Sequence, residues 1–442
     1  MRLIKCSRKQ ILGCLVGLTA ASAVVGVALN QFALDPTAVV APLLSSHLLS
    51  SSGVTKELIS AQLGSEINQG HFPEQAQLEV DGVRKSALVE YGLLRESQAR
   101  VEKLFASYKP DYGAFVAMDA RTGRILSMVS YSREHDVPGN LALQATFPAA
   151  SVFKVVTAGA ALDGNAATPE TMVSFNGANH TLYKRNVQDT RVTRWTRKMS
   201  MREAFARSVN TVFSKLGVFY VGAKSLLAYA ERFQFNRQIH ADFPIQPGTA
   251  RFAPEDPWAI ATAASGFTLN NTMSPMQGAL IAAAIANDGV MMEPYLVERI
   301  QGENGQALYQ AAAREASITL EPKAAASLRT MMRETVMTGT SRKAFRQALH
   351  RRLFDDVEFG GKTGSLTGLK PAGKCDWFIG YARFNGARIA VAALTVNEKK
   401  WRVKSSALAS EFLSGYVRNE KARVSIASYI RTPATAAVAP GH

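Results

Sequence analysis

The sequence predicts an α/β (α+β) fold, in which a five-stranded antiparallel sheet is flanked by helices. An all-helical subdomain is inserted between the strands, and a membrane anchor and a small stalk precede the domain. Three observations carry this prediction. Strand-like runs at 113–118 (GAFVAM) and 124–130 (RILSMVS) flank Asp119-Ala120-Arg121-Thr122-Gly123, a turn signal. Three more strand-like runs, 358–366, 375–384 and 388–396, form a meander near the carboxy end. The residues between, 165 to about 345, read mostly as helices and loops, so one sheet must be assembled from both ends of the domain.

A chain of 442 residues has ample length to bury a large core. Its formal charge of +16 admits nucleic acid, an anionic membrane or an anionic polymer as partner, or mere solubility. There is no zinc-finger spacing, no aromatic RNA-binding stretch and no long Lys/Arg run, which argues against nucleic acid. Three cysteines are present, of which only Cys375 lies beyond the amino-terminal apolar segment. An internal disulfide in that part is excluded, and no metal cluster or cofactor is suggested. Cys375 reads as a small buried strand residue.

Arg2, Lys5, Arg8 and Lys9 precede an uncharged run from Ile11 to Leu29. Its nineteen residues would span roughly 28 Å as a helix, about the thickness of the hydrocarbon layer. No Lys or Arg follows until Lys56, which places the body of the chain outside the cytoplasm. Residues 1–10 then form a cytoplasmic tip and 11–29 a single transmembrane signal-anchor in the cytoplasmic (inner) membrane. The rival reading is a cleaved signal peptide, because Ala21-Ser22-Ala23 resembles a cleavage site. Residues 30–111 read as a stalk or small pedestal, with weak helical patterning at 56–68. Between 78 and 109, Leu93, Leu94, Val101 and Leu104 suggest a helix.

The main domain is expected over 112–420. Its hairpin leads through Pro148 into an apolar helix, and Ser200 to Gly217 reads helix, break, helix. An apolar helix follows at 274–286, with Pro275 in the first turn where proline is tolerated, and another helix at 321–337. The meander precedes a last helix at 405–417, and 421–442 is expected to be a disordered tail.

The chemistry centres on FPAASVFKVVTAGAAL, 147–162. On a helix, Ser151 and Lys154 lie one turn apart on one face. The surrounding Val152, Phe153, Val155, Val156, Ala158 and Ala160 would strip the lysine of water. Its pKa should fall, so that the neutral amine can take the serine proton. Alone, the pair reads more readily as a capping serine and a snorkelling lysine. Two further motifs change that balance. Ser208-Val209-Asn210 follows Ser151 by 57 residues, and Lys362-Thr363-Gly364 follows Ser208 by 154. A second S-x-N, Ser174-Phe175-Asn176, lies only 23 residues after Ser151 and is set aside as a decoy.

The ordered triple resembles that of the penicillin-binding proteins and serine β-lactamases. The resemblance runs from about Tyr112 to Val417, through DARTGRILSMVSY, SPMQGALIAAAIANDGVMMEPYLV and DWFIGY. It implies a β-lactamase/transpeptidase-like fold and is closer to the transpeptidases. It also implies roles. Ser151 attacks the carbonyl between the terminal D-alanines of a peptidoglycan stem peptide, and Lys154 takes its proton. Ser208 passes that proton to the leaving amine in the field of Lys362. Asn210 orients Lys154 and binds the substrate amide. Lys362, Thr363, Gly364 and Ser365 form the strand that binds the substrate carboxylate, and the amides of Ser151 and Ser365 form the oxyanion hole. Glycines 360, 361 and 364 suit a strand that another chain approaches closely. Two features depart from the family pattern: Pro148-Ala149-Ala150 stands before Ser151 where a Pro-Gly is common, and Ser365 replaces a frequent threonine.

The expected partners are peptidoglycan stem peptides, β-lactams, the membrane and a glycosyltransferase. About eighty residues between the anchor and Tyr112 are too few for a glycosyltransferase domain in this chain. The segment 238–250 lacks the glutamate that class A β-lactamases use for deacylation. A D,D-transpeptidase is therefore the first reading, ahead of a D,D-carboxypeptidase or endopeptidase, a β-lactamase, and a non-catalytic sensor or scaffold. His180 receives no role.

Overall fold

The computed structural model describes residues 53–133, 139–189 and 191–431. The expected cytoplasmic tip and anchor, and residues 432–442 of the expected tail, lie outside them. Among the described residues no helix is long and apolar enough to cross a membrane.

The chain starts with α1 (Lys56–Asn68), where the Thr55 hydroxyl accepts from the Leu58 amide and caps the first turn. Next come β1 (Gln75–Val80) and β2 (Val83–Tyr91), where the helix expected from residue 78 gives way to a hairpin. Its turn is Asp81-Gly82, with φ of 54° and 76°. An Asp-Gly pair is a strong hairpin signal, and the helical spacing further on concealed it. The helical part is α2 (Arg95–Tyr108).

Then β3 (Tyr112–Asp119) and β4 (Ile125–Ser132) form the expected hairpin. A two-residue β5 (Phe147–Pro148) leads through a 3-10 turn, Ala150–Phe153, into α3 (Lys154–Asp163). The inserted region is not all helical. It holds β6 (Met172–Phe175), α4 (Lys184–Gln188), β7 (Arg197–Ser200), α5 (Met201–Ala206), α6 (Asn210–Leu216), α7 (Gly222–Arg232), β8 (Thr249–Ala250), α8 (Pro257–Ser265) and β9 (Asn271–Met273). Strands of two to four residues are too short to display alternation. Their partners supply their hydrogen bonds, β6 with β7, and β9 with both β5 and β8.

Helix α9 (Pro275–Ala286) is buried along its whole length, as expected of a helix apolar on every side. Four more strands lie in the region expected to be helices and loops: β10 (Val290–Met292), β11 (Val297–Gly302), β12 (Ala307–Gln310) and β13 (Glu315–Ile318). β11 and β12 instead join β1 and β2 in a second antiparallel sheet, pairing Leu88 with Gln301. The pedestal is thus completed by residues two hundred positions away, which local pattern cannot reveal.

The chain then forms α10 (Pro322–Met337), α11 (Arg342–His350), β14 (Glu358–Leu369), β15 (Ala372–Phe384), β16 (Ala387–Asn397) and α12 (Ser405–Arg431). The last helix continues through 421–431, the first part of the expected tail. The main sheet has the order β14-β15-β16-β3-β4, all antiparallel, as expected. Its side chains alternate between two cores. Trp377, Ile379, Tyr381, Ala392 and Val116 face one core with α3 and α9. Phe378, Ala382, Val391 and Phe115 face the other, where the Phe115 and Phe412 rings are 4.8 Å apart. Both faces are covered, so the strands read as nearly continuous apolar runs. Cys375 is buried and free, as expected. Strand β14 lies at one edge of this sheet, and that edge carries the site.

Candidate active site

The turn around Ser151 is fixed from three sides. The buried Trp377 indole donates to the Pro148 carbonyl at 2.9 Å, and the Ala149 amide donates to Asn271 O at 2.7 Å. Gly266 packs underneath, so close that a β-carbon there would stand 1.8 Å from Ala150 O and 3.1 Å from the Ser151 amide. Ala150 takes a left-handed φ of 48°. For a residue with a β-carbon this costs about 1–2 kcal/mol.

Ser151 sits in the 3-10 turn rather than in the α-helix expected. With three residues per turn, positions i and i+3 eclipse. Lys154 Nζ accordingly stands 2.7 Å from Ser151 Oγ. It also donates to Asn210 Oδ1 at 2.8 Å and to the Ser265 carbonyl at 2.6 Å. Lys154 is completely buried, and among the described residues no carboxylate is one of its hydrogen-bond partners. Burial first, and the facing charge of Lys362 second, push its pKa well below the ordinary lysine value.

These contacts set where the proton can go once the amine is neutral. A neutral amine has two N–H groups and one lone pair. Asn210 Oδ1 and Ser265 O can only accept, so they take both N–H groups and leave the lone pair to the Ser151 hydroxyl. The Asn210 amide is itself oriented, since its Nδ2 donates to His180 O at 2.9 Å. Its backbone amide donates to Asn179 O at 2.7 Å. The loop at 179–180 therefore holds Asn210 in place at the first turn of α6.

Ser208 is buried, with a left-handed φ of 56°, another strained residue held by its surroundings. Lys362 Nζ donates to Ser208 Oγ at 3.0 Å and to Thr363 O at 2.8 Å. Full burial pushes the Lys362 pKa down to about 7. Two aromatic rings back the lysines: Phe213 lies 5.9 Å from Lys154 Nζ and Phe205 lies 5.5 Å from Lys362 Nζ.

All three motifs therefore converge. Lys362 and Gly364 point inward from β14, while Thr363 is half-buried and Ser365 exposed. A β-carbon on Gly364 would stand 3.1 Å from the Val152 amide, so β14 runs alongside the Ser151 turn. The other two glycines meet the protein itself. Gly361 lies under the Phe378 ring, and Gly360 lies against the backbone of Met332 and Arg333. They fit packing, not the approach of another chain.

Four residues of the site carried no sequence signal. Ser265 contributes a carbonyl and Gly266 contributes its missing side chain. Thr340 shares a hydrogen bond with Thr363, and His180 contributes its carbonyl. The His180 ring lies against the Ser208 backbone. Its pKa is lowered chiefly by burial, with Lys154 and Lys362 adding to the shift. Each contact joins segments far apart in the chain. The decoy Ser174-Phe175-Asn176 falls on β6 and just beyond, where Ser174 O accepts from Lys215.

A serine hydrogen-bonded to a buried lysine whose pKa is driven down, beside a second serine–lysine pair, defines the class of serine–lysine acyl-transfer sites. The penicillin binding protein transpeptidase domain matches residues 113–414, and the chain belongs to that family. It is 28% identical over 322 residues to peptidoglycan D,D-transpeptidase PbpA of Mycolicibacterium smegmatis, covering 64% of this chain and 62% of the relative. The Mycobacterium tuberculosis PbpA is likewise 28% identical, over 66% of this chain and 63% of its own length. The chain thus spans under two thirds of these relatives.

Solved structures agree. The D,D-transpeptidase domain of a peptidoglycan glycosyltransferase from Eggerthella lenta superposes with a TM-score of 0.62 at 25% identity, over 75% of this chain and 83% of that one. The penicillin G acyl-enzyme complex of M. tuberculosis penicillin-binding protein A gives 0.58 at 26% identity, over 76% and 81%.

Proposed function

We propose that this chain is a peptidoglycan D,D-transpeptidase that forms an acyl-enzyme on Ser151 and is acylated there by β-lactams. The observation that carries the reading is the hydrogen-bond count at Lys154, which leaves its lone pair for the Ser151 proton. Ser151 Oγ bonds to the penultimate D-Ala carbonyl carbon as its proton passes to Lys154. The C–N bond then breaks, and Ser208 hands a proton to the departing D-alanine amine. Lys362, charged below about 7, supplies the field around Ser208 and, with Thr363 and Ser365, meets the substrate carboxylate. The amides of Ser151 and Ser365 serve the oxyanion. An acceptor amine reverses the sequence and forms the new peptide bond. The free edge of β14 offers its backbone to an extended peptide.

The only carboxylate in the segment 238–250 is Asp242, which accepts from the Leu296 and Val297 amides at 2.9 and 2.7 Å. That engagement supports slow deacylation over a β-lactamase. The anchor at 11–29, a location on the outer side of the cytoplasmic membrane, and a glycosyltransferase partner belong to the same proposal. They rest on the amino-terminal charge pattern and on the short pedestal.

Intact-mass analysis after incubation with benzylpenicillin tests the reading. A stable adduct is expected on the wild type and none on Ser151→Ala. Rapid drug hydrolysis without an adduct would indicate a β-lactamase. No adduct and no hydrolysis would refute acyl-enzyme chemistry at Ser151.

A further inference from the structure

Trp195 is 72% exposed, although burying an indole is among the larger gains available to a chain. It is held out on a defined turn: the Trp195 amide donates to Thr193 Oγ1 at 3.2 Å, and the Thr193 amide donates to Thr196 Oγ1 at 2.8 Å. The Arg194 guanidinium lies 4.8 Å from the indole centroid. Val192 beside it is 74% exposed. Between residues 183 and 198 the sequence holds six Lys or Arg and one acid, Asp189, which pairs with Arg191. A cationic, aromatic surface whose single acid is already paired with Arg191 is built for an anionic ligand with apolar ring faces.

Its position narrows the ligand. Arg197, two residues beyond Trp195, donates to Gly177 O, and Asn179 O accepts from the Asn210 amide. The turn is therefore tied, through residues 177–179, to the segment that holds Asn210 beside Ser208. Resting on the transpeptidase reading, we infer that the face around Arg194 and Trp195 seats the glycan strand whose stem peptide enters the cleft. The indole stacks on the C–H face of a sugar ring, and Arg194 pairs with carboxylates on the peptide substituents. A peptide held on β14 is covalently joined to that strand, so both are engaged at once and the second contact raises the first's effective concentration.

The test uses the full chain with Trp195→Ala, Arg194→Ala and the double substitution, pelleted with purified insoluble peptidoglycan, alongside benzylpenicillin acylation. The double variant is expected to lose at least ten-fold in retention while its acylation rate stays within two-fold of wild type. Trp195→Phe, which keeps a ring, is expected to restore most of the retention. Equal retention of wild type and double variant overturns the inference. So does retention that salt abolishes while Trp195→Ala leaves it intact, because the surface would then be only a charge. If the variants lose binding to vesicles of anionic phospholipid but not to peptidoglycan, the ligand is a membrane and the inference also fails. Failure of the wild type to be acylated strikes the transpeptidase reading instead, and the acylation arm reports it separately from retention.

Discussion

Gly266 and Ala150 are in backbone contact beneath the Ser151 turn, with room between them for a hydrogen atom and nothing larger. A β-carbon on Gly266 would lie 1.8 Å from Ala150 O. Gly266 also has a φ of 69°, which other residues adopt only under strain. Gly266→Ala is therefore expected to displace the Ser151 turn and to slow benzylpenicillin acylation at least 100-fold. Acylation rates by stopped flow or intact mass, with circular dichroism as a folding control, check this. A variant acylated at the wild-type rate would show that the contact is not needed for the geometry at Ser151.

Asn210 links the lysine to the loop at 179–180 through both ends of its amide. Asn210→Ala removes the acceptor of one Lys154 N–H and leaves His180 O without that donor. The amine then loses the arrangement that aims its lone pair at Ser151. A fall in acylation rate of roughly 100-fold is expected, with the scale set by the loss of about 2–3 kcal/mol from one buried polar contact to a reacting group. Asn210→Asp would place a carboxylate beside Lys154 and restore its proton. It should be at least as impaired at neutral pH, with its acid limb shifted upward.

The buried Lys362 makes stability depend on pH. Its folded pKa of about 7 lies below the ordinary lysine value, so unfolding takes up a proton between those two values. Stability therefore rises with pH from about 7 upward, by at most about 1.4 kcal/mol per pH unit for one such proton. Below pH 7 the group is charged in both states and the slope from it vanishes. Lys362→Met is expected to flatten this rise and to raise the melting temperature at pH 7, while abolishing acylation. Denaturant titrations of both proteins across pH 7 to 10 measure the difference, and identical slopes would contradict the assignment.

Asp242 ties the pedestal to the main domain. Both carboxylate oxygens face the Leu296 amide, at 2.9 and 3.1 Å, and one also accepts from Val297 at 2.7 Å. Burial pushes its pKa up to about 6. Asp242→Ala leaves two buried amides unpaired at the start of β11. A loss of about 2–4 kcal/mol in unfolding free energy is expected, with acylation by benzylpenicillin retained at temperatures where the variant is folded. A loss below about 0.5 kcal/mol would mean that water replaces the carboxylate there.

Legibility in the sequence followed contact range. Ser151 and Lys154 were readable together because a turn of helix joins them. Ser208, Asn210, Lys362 and Thr363 were found because their motifs keep a fixed order along the chain, although no local rule joins them. The five strands of the main sheet were visible because burial on both faces makes them apolar throughout. The Asp81-Gly82 turn is itself a hairpin signal, but the helical spacing beyond it competes with that signal. β11 and β12 could not be assigned to the pedestal, since their partners lie two hundred residues earlier.

The sequence alone determined which groups were available: a hydroxyl and an amine one turn apart, a second serine–lysine set, and an edge strand carrying small residues. It also determined the two-sided core that makes the sheet rigid. Only the tertiary structure decided the state of those groups. The charge on Lys154 depends on water being excluded by α3, α6 and α8 together, and on two acceptors brought from Asn210 and Ser265. Desolvation and hydrogen-bond satisfaction belong to the packed surroundings of an atom, and those surroundings exist only once distant segments have met.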